Sequence, residues 1–254
     1  IGNACVGFDH DGDGVLDDDD VDSDNDGILD VNESTTAGLD GSLDTDSDGV
    51  PDYRDTDSAG FVDSNRDGTD DRLDPDSDGV PSFIDLDADN DGIPDLDENG
   101  GLALDLNRDG LPDTFVDMDA DGLGAVFDTD DMDPSITTTL GTVLDLDMTG
   151  GPNFLDLDAD GDGLFDIAEG GGTDANADGR VATTTDTNRN GYDDAVDPSA
   201  RGTALLLPDS DMDMNRDWLD VDDDNDSILT RFEAADANGN GLPFASALGG
   251  GGHQ

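Results

Sequence analysis

Lysine is absent from this chain of 254 residues, cysteine occurs once and histidine twice. The single cysteine, Cys5, excludes an internal disulfide framework. Two histidines, His10 and His253, are too few for a histidine-based zinc site or a serine triad. No apolar run approaches the roughly 20 residues that span a bilayer, so we expect no membrane insertion. With no phosphate-binding loop either, the sequence predicts a protein that is not an enzyme.

Positive charge is also scarce, because nine arginines face 68 acidic side chains and the formal net charge is −59. Such a chain repels nucleic acid and anionic membrane surfaces, so neither is expected as a partner. Aromatic residues make up only 5% of the sequence, and no long periodic apolar stretch is present to form one large core. A chain of this kind stays expanded unless cations neutralise it. Folding is therefore expected to depend on bound cations.

The four glutamates of the chain all stand at the last position of a twelve-residue acidic loop. In the loop from Asp22 to Glu33, oxygen donors occupy positions 1, 3, 5, 9 and 12, and Gly27 occupies position 6. This spacing suits a hard cation that takes about six to eight oxygens, with the position 7 carbonyl and a bidentate glutamate completing the shell. The pattern predicts calcium binding.

Fifteen such loops follow one another along the chain. They start at Asp9, Asp22, Asp44, Asp63, Asp74, Asp87, Asp105, Asp117, Asp145, Asp158, Asp174, Asp186, Asp209, Asp222 and Asp236. The loops that end in glutamate recur after 65, 71 and 64 residues, and each follows another loop that starts 13 residues upstream. Repetition of this kind predicts an array of stacked units. The expected division is an N-terminal segment at 1–8, unit 1 at 9–73, unit 2 at 74–144, unit 3 at 145–208, a shortened unit 4 at 209–247 and a glycine-rich tail at 248–254.

The predicted metal ligands are the oxygen-bearing side chains at the donor positions of these loops. In unit 1 they are Asp9, Asp11, Asp13, Asp17, Asp20, Asp22, Asp24, Asp26, Asp30, Glu33, Asp44, Asp46, Asp48, Asp52, Asp55, Asp63, Asn65, Asp67 and Asp71. In unit 2 they are Asp74, Asp76, Asp78, Asp85, Asp87, Asp89, Asp91, Asp95, Glu98, Asp105, Asn107, Asp109, Asp113, Asp117, Asp119, Asp121 and Asp128. In unit 3 they are Asp145, Asp147, Asp156, Asp158, Asp160, Asp162, Asp166, Glu169, Asp174, Asn176, Asp178, Asp186, Asn188, Asn190, Asp194 and Asp197. In unit 4 they are Asp209, Asp211, Asp213, Asp217, Asp220, Asp222, Asp224, Asp226, Glu233, Asp236, Asn238 and Asn240.

These ligands predict about 12 to 15 calcium ions in the whole array. Junctions such as Asp85-Leu86-Asp87 join the last position of one loop to the first of the next, so neighbouring ions are predicted to share carboxylates. The last unit departs most from the pattern. Met214 and Ser227 replace the position 6 glycine there, and Thr230 replaces a position 9 aspartate. The loop at 236 lacks donors at positions 9 and 12, so we expect it to be weak or completed by another chain.

Apolar pairs such as Phe83-Ile84, Phe154-Leu155 and Trp218-Leu219 precede the junctions, and they predict small buried plugs beneath the loops. The flanking segments are rich in glycine, proline and aspartate and contain no capped amphipathic run, which argues against the helix–loop–helix form of an EF-hand. The predicted fold is mostly irregular: calcium-stabilised loop repeats with few short strands, in an elongated, solenoid-like array with no large hydrophobic core.

On these loops and on cassettes such as that at 83–95, the chain resembles thrombospondin type 3 repeats, most closely the bacterial versions in surface and secreted proteins. The resemblance covers 9–243. It implies calcium ions wrapped by aspartate-rich loops, little regular secondary structure and an extracellular adhesive, spacer or matrix role. The ligands that carry over most clearly are those of the loops at Asp22, Asp87 and Asp158. The disulfide-forming cysteines of the vertebrate members are missing, so the metal must hold this array alone.

Three functions remain open on the sequence. The first is an extracellular, calcium-rigidified rod that serves as a filament subunit, assembled head to tail from copies of the chain, or as an adhesin stalk. The second is a module that binds a ligand or glycans through a spacer such as 132–144, and the third is calcium storage or mineral nucleation. Weak calcium sites in such number need millimolar calcium, which predicts a location outside the cell or on its surface. The chain begins at Ile1 without methionine, so we expect a mature product or a piece of a longer one.

Overall fold

A computed structural model describes residues 8–17, 19–33, 41, 43–134, 143–183, 185–227 and 229–230. The predicted ligands Glu233, Asp236, Asn238 and Asn240 lie outside these residues, as do the N-terminal segment apart from Phe8, the glycine-rich tail and most of the spacer at 132–144. Turns and bends dominate the described part, which contains no strand. The predicted irregular, loop-rich fold is confirmed, whereas the few short strands are not found there.

Short helical turns are the regular elements of the described residues. They are 3₁₀ turns at Asp30–Asn32, Ser82–Ile84, Asn153–Leu155 and Asp217–Leu219, an α-helical turn at Asp166–Glu169, and a π-helical turn at Asp97–Gly101. Each spans five residues or fewer, so the flanking helices of an EF-hand are not formed around these loops. Three of the turns end a glutamate loop, and the other three precede the junction between two loops.

The acidic loops share one backbone conformation. Fifteen loops less the one at 236, which is outside the described residues, leaves fourteen, and in each of them positions 4 and 6 have positive φ. In the first glutamate loop these positions are Asn25 at 65° and Gly27 at 89°. Glycine reaches this region without steric cost, which explains its recurrence at position 6. Met214 and Ser227 adopt the same turn with φ of 87° and 75° despite their side chains.

One backbone hydrogen bond closes nearly every loop. The N–H of position 9 donates to the carbonyl of the residue before position 1, as from Asp95 to Leu86 at 3.0 Å and from Asp166 to Leu157 at 3.0 Å. The bond folds the loop back on itself, so the side chains at positions 1, 3 and 5 turn towards a common centre. The chain segments that enter and leave a loop are therefore paired at one residue only. A single pair is too short to form a ladder between two strands.

Apolar side chains form three buried clusters in the described part. The predicted plugs Phe83, Phe154 and Trp218 are each 1% exposed, which confirms their burial. The plugs are not separate beneath each loop, however, because the largest cluster joins side chains of units 2, 3 and 4. Its buried members are Leu86, Ile93, Ala159, Ile167, Tyr192, Val196, Leu205, Leu207 and Trp218.

Each unit contacts the next through equivalent elements. The turn that ends a glutamate loop packs on the turn that precedes the next unit's junction: Asp30–Asn32 on Ser82–Ile84, Asp97–Gly101 on Asn153–Leu155, and Asp166–Glu169 on Asp217–Leu219. The junctions between paired loops also form equivalent backbone hydrogen bonds. Val21 N–H donates to the Asp121 carbonyl at 3.2 Å, and one unit later Leu86 N–H donates to the Asn190 carbonyl at 2.9 Å.

Candidate metal centres

The loop from Asp22 to Glu33 shows how backbone hydrogen bonds orient its carboxylates. Asp22 accepts from the Gly27 N–H at 3.0 Å, Asp24 Oδ1 from the Asp26 N–H at 3.2 Å, and Asp26 Oδ1 from the Ile28 N–H at 2.6 Å. The Gly27 N–H reaches both oxygens of Asp22, at 3.3 and 3.0 Å, whereas the bonds to Asp24 and Asp26 engage Oδ1 alone. Asp24 Oδ2, Asp26 Oδ2 and both carboxylate oxygens of Glu33 are buried without a hydrogen-bond partner.

The same arrangement recurs in the two following glutamate loops. The buried oxygens without a hydrogen-bond partner there include Asp89 Oδ2, Asp91 Oδ2, Glu98 Oε1, Glu98 Oε2, Asp160 Oδ2, Glu169 Oε1 and Glu169 Oε2. A buried ionised carboxylate costs several kcal/mol unless a counter-charge and hydrogen bonds satisfy it. Clusters of such oxygens therefore fit a bound cation.

The carboxylates at positions 1, 3 and 5 come within ligand distance of one another, as the sequence predicts. In each of several groups the oxygens all lie within 4.8 Å, including Asp9–Asp11–Asp13, Asp22–Asp24–Asp26 and Asp74–Asp76–Asp78. The donors are oxygens only, which is the ligand set of a hard divalent cation rather than of zinc or copper. The described residues thus form sites suited to metal binding.

Burial and crowding shift the acidity of these groups in the same direction. Burial raises the pKa of Asp26 and of Asp91 to about 7, and that of Asp20 to about 8. The pKa values of Glu33 and Glu98 are raised well above the ordinary value, first by burial and then by neighbouring carboxylates. Carboxylates held this way exchange protons for a cation, because the cation supplies the counter-charge that the loop lacks.

Position 9 has a different role in several loops. Where position 2 is serine or threonine, its N–H and hydroxyl both donate to the position 9 carboxylate. The pairs are Ser23 to Asp30, Thr45 to Asp52, Ser64 to Asp71, Thr187 to Asp194 and Ser210 to Asp217. The hydrogen bonds from Ser64 hold the pKa of Asp71 below its ordinary value. In these loops the structure gives the predicted position 9 ligand a loop-closing role.

Three of the four described loops with asparagine at position 3 are built differently. The side-chain amides of Asn65, Asn107 and Asn176 donate to the position 5 carboxylate of the same loop. These loops lie largely at the surface of the described part. One carboxylate oxygen at position 5 in each of these loops is therefore engaged by the asparagine amide.

Three acidic residues at the sites were not among the predicted ligands. Asp57 joins Asp46, Asp48 and Asp55 in one group. Both carboxylate oxygens of Asp97, and Oδ1 of Asp223, are buried without a hydrogen-bond partner. Asp97 and Asp223 stand at positions 11 and 2 of their loops, which the twelve-residue pattern does not mark as donors. The local spacing carries no signal for their burial.

The comparisons with known proteins give no assignment. No family model matches the chain, and no curated protein matches it. Within the described residues, no helix combines the length and the apolar character needed to cross a membrane. The class of site is thus defined by its geometry: oxygen-only, carboxylate-rich loops suited to hard divalent cations.

Proposed function

We propose that this is a non-enzymatic structural protein whose fold is held together by bound calcium, similar in kind to thrombospondin type 3 repeats. The observation that carries the proposal is the set of buried carboxylate oxygens without hydrogen-bond partners in the three described glutamate loops. A cation at each centre would neutralise them. In its absence, mutual repulsion opens the loops, since the formal net charge is −59.

Two properties of the ligand shell favour calcium over other hard cations: the number of oxygen ligands and the flexibility of the loop that carries them. Each glutamate loop offers several carboxylates and a backbone carbonyl on a flexible, glycine-containing turn. Calcium accepts about six to eight oxygens in such irregular shells, whereas magnesium requires a near-octahedral shell and retains several waters. About 12 to 15 ions would bind, and their total charge of roughly +24 to +30 would offset about half of the net negative charge.

The role we propose is a calcium-rigidified, elongated array that serves as a filament subunit or adhesin stalk outside the cell. It is supported by the equivalent contacts from each unit to the next, which stacked repeats produce. A translational repeat also extends naturally by head-to-tail contact between copies. The extracellular location follows from the millimolar calcium that many weak sites need.

A second candidate, an adhesive module with calcium as scaffold, is favoured by one observation. All five methionines, Met118, Met132, Met148, Met212 and Met214, are at least 69% exposed. Methionine is flexible and suits adaptable binding surfaces. Calcium storage is less favoured, because storage needs no buried side chains such as Phe83 and Trp218 beneath the loops.

Sedimentation velocity and negative-stain electron microscopy over a series of protein concentrations in millimolar calcium test the role. Fibres that lengthen with concentration and dissolve in EDTA support a filament subunit. A single particle of fixed length that expands in EDTA supports a stalk or adhesive module. Particles unaffected by EDTA would contradict the calcium proposal itself.

A further inference from the structure

One cluster of carboxylates contains residues of two different units. Asp26 and Glu33 belong to the first glutamate loop, Asp95 belongs to the second, and their oxygens lie within 4.8 Å of one another. The three side chains are 1%, 0% and 0% exposed. Asp26 Oδ2, Asp95 Oδ2 and both oxygens of Glu33 have no hydrogen-bond partner. Three acidic side chains from two units thus meet in a buried cluster.

The second oxygen of Asp95 is free because of its neighbour at position 2. Asp95 Oδ1 accepts the Ala88 N–H at 2.9 Å, which closes the loop as elsewhere. Ala88 has no hydroxyl, in contrast to Ser64 or Thr187, which engage the second oxygen of their position 9 partner. Without that hydroxyl, Asp95 Oδ2 has no hydrogen-bond partner, and the Asp95 carboxylate lies in one cluster with Glu33 of the preceding unit.

A related arrangement occurs one unit later. Ala159 at position 2 also lacks a hydroxyl, and its N–H donates to both oxygens of Asp166 at position 9, each at 3.1 Å. Asp166 is 0% exposed and is among the carboxylates that act electrostatically on Glu98 of the preceding unit. Both oxygens of Glu98 are buried without a hydrogen-bond partner, like those of Glu33.

In the last unit the two positions are exchanged. Thr230 stands at position 9 and accepts the Asp223 N–H at 3.2 Å, while the carboxylate has moved to Asp223 at position 2. Asp223 is 4% exposed, and its Oδ1 has no hydrogen-bond partner. It is among the carboxylates that act on Glu169 of the preceding unit. An acid from the following unit is therefore present at all three boundaries.

We propose that each boundary between units holds one hard divalent cation, shared by the glutamate of one unit and a carboxylate of the next: Glu33 with Asp95, Glu98 with Asp166, and Glu169 with Asp223. The inference rests on the proposed function, since it takes calcium as the cation. It adds that the ion joins units rather than closing a loop. Calcium binding and the stacking of units are then one equilibrium, and removal of a shared ligand loosens the boundary.

A double-mutant cycle on Glu33→Gln and Asp95→Asn tests the first boundary. Bound calcium per chain is counted by equilibrium dialysis and atomic emission at fixed free calcium. Each single variant should bind about one ion fewer than the wild type, and the double variant should also bind about one fewer, because both residues hold the same ion. Asp19→Asn, an exposed carboxylate outside the predicted ligands, is the control for loss of charge.

The outcomes separate the inference from the proposed function. A double variant that loses about two ions would show two independent sites and overturn the shared site, with calcium binding intact. Wild-type protein that binds no calcium would overturn both. Hydrogen exchange of the segment 22–33 adds a local readout, because Asp95→Asn should raise its exchange and Asp19→Asn should not.

The exchanged pair in the last unit provides a rescue that does not depend on a variant failing to fold. Asp223→Ala should cost about one bound ion. The double variant Asp223→Ala with Thr230→Asp restores the alanine and aspartate arrangement of the two preceding loops, and it should regain that ion. If Asp223→Ala binds as many ions as the wild type, the third shared site is contradicted.

Discussion

Arg180 of unit 3 donates from Nε to the backbone carbonyl of Asp89 in unit 2 at 2.9 Å. Its other nitrogens approach the carbonyls of Asp76 and Pro75, each at 3.4 Å. The guanidinium thus contacts two acidic loops of another unit through backbone oxygens. Charge complementarity is gained without engaging the carboxylate oxygens that face the loop centres. Arg180 thus links two units by hydrogen bonds and leaves the carboxylates of the loops available to bind cations.

Replacement of Arg180 by glutamine should weaken this contact without removing a metal ligand. We expect a loss of about 1 to 3 kcal/mol in the free energy of unfolding, because buried carbonyls lose charge-assisted donors. Urea denaturation in millimolar calcium measures the change, and bound calcium per chain should stay constant. Arg66→Gln, at an exposed position, is the matched control and should change stability little. Equal losses in the two variants would contradict a specific role for Arg180.

Glu98 is fully buried in a loop that has a unit on either side, and Glu98→Gln should be strongly destabilising in calcium. The change removes one charge from a buried cation site, which we expect to cost about 3 to 5 kcal/mol. Thermal unfolding in millimolar calcium should show a lower midpoint than wild type, and the difference should vanish in EDTA. A variant that unfolds like the wild type in calcium would contradict a ligand role for Glu98.

The pH dependence of the calcium-free protein follows from its raised pKa values. Burial raises the pKa of Asp26 and Asp91 from 3.8 to about 7, so the folded loops bind protons more tightly than the unfolded chain. That stabilisation is fully present below about pH 4 and is lost as the pH rises through 7. We expect the chain in EDTA to be more compact at pH 4 than at pH 8.

Calcium should reverse this trend, because the ion needs ionised carboxylates and its binding releases protons. Calcium affinity should therefore rise between pH 5.5 and pH 8. Size-exclusion chromatography in EDTA at pH 4 and pH 8 measures the compaction of the chain. Calcium titration at pH 5.5 and pH 8 measures the change in affinity. A chain in EDTA that is equally expanded at pH 4 and pH 8 would show that the buried carboxylates do not control compaction.

Met214 occupies the position 6 turn with φ of 87°, where the thirteen other described loops place a glycine or, in one case, Ser227. A left-handed conformation costs a residue with a side chain about 1 to 2 kcal/mol. Glycine removes this cost, though it adds some unfolded-state entropy. Met214→Gly should therefore raise the free energy of unfolding in calcium by roughly 1 kcal/mol. Met212→Ala, at an exposed position of the same loop, is the control.

The sequence predicts the local part of the sites well. Positions 1, 3 and 5 lie within a few residues of one another, so their spacing alone brings Asp22, Asp24 and Asp26 together. The predicted strands fail for a local reason as well. The extended residue Asp85 is followed by Leu86, which pairs with Asn190 through one hydrogen bond, and the chain then turns into the next loop.

The sequence pattern does not predict the contacts between units. Glu33 and Asp95 are separated by a whole unit, and no local spacing shows that they share a buried site. The loop-closing role of position 9 depends on position 2, where Ser64 and Ala88 differ by one hydroxyl. Such a difference has meaning only once the three-dimensional neighbours are known.

Bound calcium is proposed to hold this chain in its folded state. Small-angle X-ray scattering at pH 7.5, in millimolar calcium and then in EDTA, tests this dependence most directly. A fully expanded chain of this length has a radius of gyration of about 55 Å, against about 18 Å for a compact globule. We predict a value near 55 Å in EDTA and a much smaller one in calcium, with full reversal when calcium is restored. The same scattering curve with and without EDTA would contradict the claim.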